Sequence, residues 1–217
     1  MKTSFFKIFA LIAIVAFSSC KEKADEAETS AAEEAAVAEA TAVIYKAVTD
    51  KSTIEWKGFK PTGSHNGTIA IANGAISVND GNIESGKFVI DMASIAVTDI
   101  PVEDEGNASL KGHLTSADFF DVATYPQATF EVTGLKTING QAVLSGNLTL
   151  KDATNNISFP VSTNMEGNTM ILKSETFTID RSKWNVKYGS KSFFDNLGDK
   201  FINDDIELTI NLIAEKA

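Results

Sequence analysis

Two histidines, His65 and His113, are the side chains of this sequence whose charge can change near neutral pH. The groups that could work with His113 are two aspartates and two serines close to it in the chain: Asp118, Asp121, Ser109 and Ser116. Histidine with aspartate can hold a metal ion, and histidine with serine can form a nucleophile and its base. The tight ligand spacing of a metal motif and the strand-turn setting of a nucleophile elbow are both absent here. The sequence therefore predicts no metal site and no enzymatic activity.

The segment "IDRSKWNVKYG" brings Asp180, Arg181 and Trp184 together. One interpretation is an arginine that contacts the anionic head group of a ligand. The other is a structural arginine whose stem packs on aromatic rings and whose head pairs with a carboxylate. We favour the structural interpretation.

Cys20 is the single cysteine of the 217 residues, so the chain cannot form an internal disulfide. It follows two lysines, an apolar run and the small residues Ser18 and Ser19. This order resembles a bacterial lipoprotein signal, which predicts a signal peptide over residues 1–19 and lipidation of Cys20. The alternative is an ordinary signal peptide with a cysteine nearby by chance.

Residues 20–42 are rich in alanine and glutamate and carry no large apolar stripe. Such a composition allows a short surface helix, but there is nothing for that helix to bury, and its like charges repel each other. We therefore predict a solvated, acidic Ala/Glu-rich tether that spans roughly 25 Å as a coil.

From Val43 to the end, apolar and polar residues alternate with the period of two that is typical of half-buried strands. Glycine and asparagine turn signals such as "NDGN" and "TING" separate these segments. The pattern predicts an antiparallel sheet of about eight strands that curls into a barrel or folds into a sandwich. One segment without alternation predicts a short helix, capped by Asn107 and running through Leu110 and Leu114.

The formal net charge of −10 argues against a nucleic-acid partner or an anionic membrane held by charge. Fourteen phenylalanines are many for this length, and several fall on the apolar face of the predicted strands. They can either fill a small barrel or surround a ligand, and the sequence leaves both options open.

Four stretches together resemble the YceI-like family: "STIEWKGF…GSHNG", "LKGHLTSADFFDVATYPQATFEV", "LSGNLTLKDATNNISFPV" and "IDRSKWNVKYG". The resemblance covers residues 43–217. It implies an all-β fold, an antiparallel, lipocalin-like eight-stranded β-barrel with a short helical segment. It also implies an elongated apolar cavity that holds an isoprenoid or similar amphiphilic lipid, and no catalytic apparatus or cofactor.

Periodicity and this resemblance together suggest eight apolar residues as candidate lining of the cavity: Ile54, Trp56, Phe88, Ile90, Phe130, Leu144, Leu148 and Phe159. The expected function is lipid storage or transport in the envelope of a Gram-negative bacterium. The protein would be attached through Cys20 to the outer membrane, facing the periplasm or the cell surface, and a homodimer is one option. The alternative function is a structural or adaptor lipoprotein whose barrel is solid.

Overall fold

The structure is a computed structural model that describes residues 24–217. The predicted signal peptide and Cys20 lie outside this part of the chain. The strands are β1 (Asp25–Glu26), β2 (Glu28–Ala31), β3 (Val43–Ala47), β4 (Thr53–Lys60), β5 (Gly63–Asn79), β6 (Asn82–Val97), β7 (Gln127–Ile138), β8 (Gln141–Leu150), β9 (Ala153–Glu166), β10 (Thr169–Ser174), β11 (Phe177–Asp180) and β12 (Asp205–Lys216). The α-helix, α1, runs over Glu105–Thr115, and short 3₁₀ turns occupy Thr49–Lys51, Arg181–Trp184 and Gly198–Lys200.

Eight strands close into a ring in the order β4, β5, β6, β7, β8, β9, β10 and β12. Every neighbouring pair is antiparallel, and the pairing of β12 with β4 closes the ring. On one side of β12, β3 pairs with it next to β4. On the other side of β12, β11 pairs with it next to β10. The predicted all-β, lipocalin-like barrel of eight strands with a short helix is confirmed.

Two of the tight hairpins depend on residues that accept a left-handed backbone. Asp80 and Gly81 link β5 to β6 with φ of 47° and 81°, and Asn139 and Gly140 link β7 to β8 with φ of 52° and 83°. Two consecutive positive φ values give the turn whose twist matches that of the flanking strands. The sequence signals "NDGN" and "TING" therefore marked these hairpins for a physical reason.

Helix α1 begins earlier than the sequence predicted. Asp104 is its N-cap, and the Asp104 carboxylate accepts a hydrogen bond from the Gly106 backbone N–H at 2.7 Å. The predicted cap at Asn107 is wrong. Asn107 lies inside the helix, where its buried amide donates to the carbonyl oxygens of Val97 and Ile100 at 3.1 and 2.8 Å. The side chain thus ties the helix to the end of β6 rather than starting the helix.

The predicted solvated coil is wrong for residues 25–31, which enter the sheet as β1 and β2, whereas residues 32–42 form no helix or strand. β1 pairs with β11, and β2 pairs with β9, so this segment lies in the gap where β9 and β11 diverge. Ala27 is buried there, and the Ala27 N–H donates to the Thr178 carbonyl oxygen at 2.8 Å. The unpaired edges of β9 and β11 offer backbone hydrogen bonds that composition alone does not reveal. Attachment of this segment to a membrane stays a prediction.

One half of the barrel interior is filled with aromatic rings. Phe159 stacks on Phe177 with centroids 4.2 Å apart, and Phe130 lies 5.7 Å from Phe159. Residues of the apolar strand faces complete this packed half, among them Ile76, Val132, Leu144, Met170 and Leu172. Among residues 24–217, no helix is both long and apolar enough to cross a membrane.

Candidate ligand-binding cavity

A cavity of about 240 Å³ occupies the other half of the barrel, between the packed rings and the end that carries α1. Its walls come from strands around the ring, from α1 and from the connection between β11 and β12. The residues that line it are Ile54, Trp56, Gly58, Phe59, Lys60, His65, Ile69, Ile90, Met92, Ile95, Leu110, His113, Leu114, Phe119, Phe120, Ala128, Leu148, Leu150, Ile179, Arg181, Ile202, Asn203, Ile206 and Leu208. Apolar side chains dominate this lining, as in sites for hydrophobic ligands.

Strand β4 forms a continuous wall, because every second residue from Ile54 to Lys60 borders the cavity. At a rise of about 3.3 Å per residue, this wall is roughly 20 Å long. Gly58 leaves space in the wall, since a Cβ atom placed there would meet nothing within 4 Å. Lys60 at the end of the strand is exposed to solvent, so the cavity reaches the protein surface at this end.

The cap segment, residues 181–203, joins β11 to β12 and borders the cavity at this end. Arg181 is fully buried and organises this segment. Its guanidinium donates to four backbone carbonyl oxygens, those of Val186, Tyr188, Ile202 and Asn203, at 2.6 to 3.1 Å.

The same guanidinium lies 3.3 Å from the Asp204 carboxylate and 5.1 Å from the centroid of the Phe119 ring. Burial lowers the pKa of Arg181 from its usual value, and the charges of Asp204 and Asp180 oppose this shift. Through these four hydrogen bonds and the ion pair with Asp204, the arginine holds the cap in place. The structural interpretation of this residue is confirmed.

Four of the eight predicted lining residues border the cavity: Ile54, Trp56, Ile90 and Leu148. Whether these residues bind a ligand stays a prediction. The other four lie in the packed half of the interior and do not line the cavity: Phe88, Phe130, Leu144 and Phe159. All eight share the interior face of the sheet, so the alternation assigned their face but not their position along the barrel.

Two glycines on neighbouring strands explain why two of these rings leave no space. A Cβ atom at Gly74 would lie 2.2 Å from the Phe88 ring, and one at Gly146 would lie 2.2 Å from the Phe130 ring. The rings therefore rest directly on the backbone of β5 and β8, where no other side chain could fit. This packing closes the middle of the barrel.

Sequence reasoning missed most of the lining that comes from outside the clear alternating segments. Leu110, His113 and Leu114 come from α1, and Phe119 and Phe120 come from the "DFF" run after it. A helix face and a loop carry no period-two signal. The signal that could have found them is the set of apolar residues in the one segment without alternation. Such residues suggest a cap, because the open end of an apolar barrel must be covered.

His65 is held at the rim by Asp99. The His65 Nδ1 atom lies 2.8 Å from one Asp99 carboxylate oxygen, and the Asn66 backbone N–H donates to the other at 3.1 Å. Burial raises the pKa of Asp99, but these hydrogen bonds outweigh the effect and lower the pKa below its usual value. The pair fixes the histidine at the edge of the cavity.

Two buried nitrogen atoms of lining residues have no hydrogen-bond partner: Nε1 of Trp56 and Nε2 of His113. The Ser116 hydroxyl near His113 donates to the His113 backbone carbonyl at 2.8 Å and is not bonded to its ring. Within the described chain, no group of three or more histidine, cysteine, aspartate or glutamate residues is placed to hold a metal ion. Unpaired buried polar atoms are uncommon in proteins, and these two nitrogen atoms are free of protein partners on the cavity wall.

A family model described as the YceI-like domain matches residues 45–214. A UPF0312 protein of Azotobacter vinelandii is 33% identical over 89 residues, which cover 41% of this chain and 43% of that protein. The chain thus aligns with less than half the length of the curated relatives it matches.

Two solved structures share the fold. BcnA of Burkholderia cenocepacia superposes with a TM-score of 0.61 at 22% identity, covering 76% of this chain and 97% of that one. A polyisoprenoid binding domain from Saccharophagus degradans superposes with a TM-score of 0.57 at 15% identity, covering 81% and 99%. At these identities the likeness concerns the fold.

Proposed function

Because the chain belongs to the YceI-like domain family, we propose that its barrel binds an isoprenoid or similar amphiphilic lipid. The observation that carries this proposal is the apolar cavity of about 240 Å³ in one half of the barrel. A protein of the same fold described as a polyisoprenoid binding domain supports the ligand class. The protein acts as a binding protein in this proposal and not as an enzyme.

The size of the cavity limits how much of a ligand it encloses. An apolar cavity of about 150 Å³ accommodates benzene, so this one holds roughly ten carbon atoms. At about 0.8 kcal/mol per buried CH₂, their transfer contributes roughly 8 kcal/mol before the cost of immobilising the ligand. A longer chain extends past Lys60 to the surface, or it displaces rings of the packed half.

The unpaired nitrogens of Trp56 and His113 provide the polar contacts in this proposal. An indole N–H can only donate, so the ligand carries an oxygen that accepts a hydrogen bond from Trp56. A hydroxyl or carbonyl head group on an apolar chain meets that requirement. An uncharged polar group suits this site, because Arg181, the buried cation of the lining, already donates to four backbone carbonyl oxygens.

The direct test is extraction of the purified, detergent-free protein, followed by mass spectrometry of the organic phase. We expect a stoichiometric amphiphile with an unsaturated or branched chain, and protein stripped of it should take up added isoprenoids. A protein that carries no lipid and does not respond to isoprenoids under any condition would contradict the proposal.

We place the protein in the cell envelope of a Gram-negative bacterium, where it would store or transport the lipid. The support is the lipoprotein-like order of residues around Cys20. Membrane fractionation of the parent and a Cys20→Ala variant tests this part separately, because loss of membrane attachment leaves the cavity unchanged.

The packed half of the barrel favours the second candidate, a structural or adaptor protein whose outer surface binds another envelope protein. Phe159 and Phe177 fill that half as a rigid core would. In that case, substitutions at Trp56 would change stability and leave lipid uptake unaffected.

A further inference from the structure

Three aromatic side chains next to the cavity are exposed to solvent. Tyr188, Phe193 and Phe194 expose 46%, 45% and 49% of their surface. In the described part of the chain, these are the aromatic residues with large exposure, and they fall within seven consecutive positions. We call residues 188–194 the aromatic loop. Exposed apolar residues that cluster in this way indicate contact with a partner.

The loop is held in place by hydrogen bonds. Ser190 is fully buried, and its hydroxyl donates to the Asp204 carboxylate at 2.9 Å. The Ser192 hydroxyl donates to the same oxygen at 2.7 Å. The backbone N–H groups of Phe193 and Phe194 donate to the Ser190 carbonyl oxygen at 3.3 and 3.0 Å. The fold therefore presents the two phenylalanines outward from an anchored turn.

The loop adjoins the open end of the cavity. The Tyr188 ring lies 4.5 Å from the ring of His113, which lines the cavity. Gly189 packs against Ile202, another lining residue, and accepts a hydrogen bond from its N–H at 2.8 Å. A surface that contacts this loop is thus placed at the entrance of the cavity.

Lysines accompany the rings. Lys187 lies 4.9 Å from the centroid of Phe193, and Lys191 lies 3.6 Å from that of Phe201. Lys60 stands at the cavity rim. Aromatic rings with flanking lysines are typical of the membrane interface, where the rings enter the head-group region and the ammonium groups reach phosphates. Residues 187–200 contain three lysines and two aspartates, Asp195 and Asp199, so this segment carries one net positive charge in a chain of net charge −10.

The exposed area fits a bilayer better than a second copy of the chain. A phenylalanine or tyrosine side chain offers about 150–250 Å², so three half-exposed rings present about 300 Å². A stable protein interface needs about 800 Å² from each partner. We propose that the aromatic loop docks the open end of the barrel on a phospholipid bilayer, with its lysines at the level of the phosphates. This proposal goes beyond ligand binding and does not depend on Cys20.

Acyl-chain-brominated phospholipids test the orientation, because they quench tryptophan that reaches the bilayer. Tryptophan is introduced as Phe193→Trp, and as Ile138→Trp at the opposite end of the barrel, where Ile138 is 49% exposed. With vesicles of phosphatidylcholine and phosphatidylglycerol, we expect at least about twofold quenching of the added fluorescence at 193 and none at 138. Both variants keep the same N-terminal segment, so an anchor at Cys20 is common to both.

Two further measurements separate this proposal from its competitors. Adding Tyr188→Ser and Phe194→Ser to the Phe193→Trp chain should weaken vesicle partition by about 100-fold and remove the quenching. Quenching that persists after the vesicles are sedimented reports brominated lipid in the cavity and not docking. Equal quenching at 193 and 138, unchanged quenching in the serine variant, or dimerisation through the loop without quenching would each overturn the proposal.

Discussion

Replacing Gly58 with leucine should fill the cavity from its wall without disturbing the fold. A Cβ atom at Gly58 meets nothing within 4 Å, and the residue borders the cavity on β4. The four added carbons occupy space that the ligand would otherwise use. At about 0.8 kcal/mol per carbon the ligand loses roughly 3 kcal/mol, which corresponds to an affinity lower by about 100- to 200-fold.

The free energy of unfolding should stay the same or rise in this variant. Leucine buries its carbons in an existing void, and glycine inside a strand costs about 0.5–1 kcal/mol relative to alanine. Urea denaturation measures stability, and titration with a fluorescent apolar probe measures affinity. Gly134→Leu is the matched control, because it lies on β7, has equally open space at its Cβ position and does not line the cavity.

The result that would refute the reasoning is a Gly58→Leu protein that binds the probe as tightly as the parent does. The ligand would then lie elsewhere, or the packed rings would move to accommodate it. A variant that loses both stability and binding, while Gly134→Leu loses neither, would show that the space at Gly58 is not free.

Four other substitutions probe separate parts of the molecule. Phe159→Ala should lower the free energy of unfolding by about 3–5 kcal/mol in urea denaturation, because Phe159 is buried in the packed half. The affinity for the probe should stay nearly unchanged. A large loss of affinity would mean that the ligand reaches the packed half. Trp56→Phe removes the unpaired indole N–H. In a competition titration, this variant should bind a hydroxyl-bearing lipid about tenfold more weakly and a plain hydrocarbon as tightly as the parent does. Equal effects on both ligands would exclude the hydrogen bond. Asp99→Asn should destabilise the fold at neutral pH, because a carboxylate whose pKa is lowered by folding stabilises the folded state while it is ionised. The difference from the parent should begin to shrink as the pH falls below about 4, the unfolded pKa of aspartate, and should vanish below the lowered pKa of the folded state. A difference that persists at low pH in acid-denaturation curves would contradict this. Ala27→Lys should release the N-terminal strands from the gap, lower stability by about 1–3 kcal/mol and expose the segment to limited proteolysis, whereas Glu28→Lys at the neighbouring exposed position should do neither.

The interior face of the barrel could be predicted because side chains alternate strictly along a strand. Ile54 and Phe159 were both assigned to that face, and both lie there. The alternation says nothing of height along the barrel axis, so it could not separate Ile54, which borders the cavity, from Phe159, which fills the packed half. The turns at Gly81 and Gly140 were predictable because their backbone requirement is local.

The amino-acid sequence by itself determined the class of fold, the sidedness of its strands, the positions of its tight turns and its membership of a family. Each of these depends on a repeat or a motif within a short stretch of chain. The tertiary structure alone decided which half of the barrel is open, that residues 25–31 complete the sheet between β9 and β11, and that the aromatic loop adjoins the cavity. These features arise where distant segments meet, such as the Phe130 ring over Gly146, and such contacts are set by the closure of the ring.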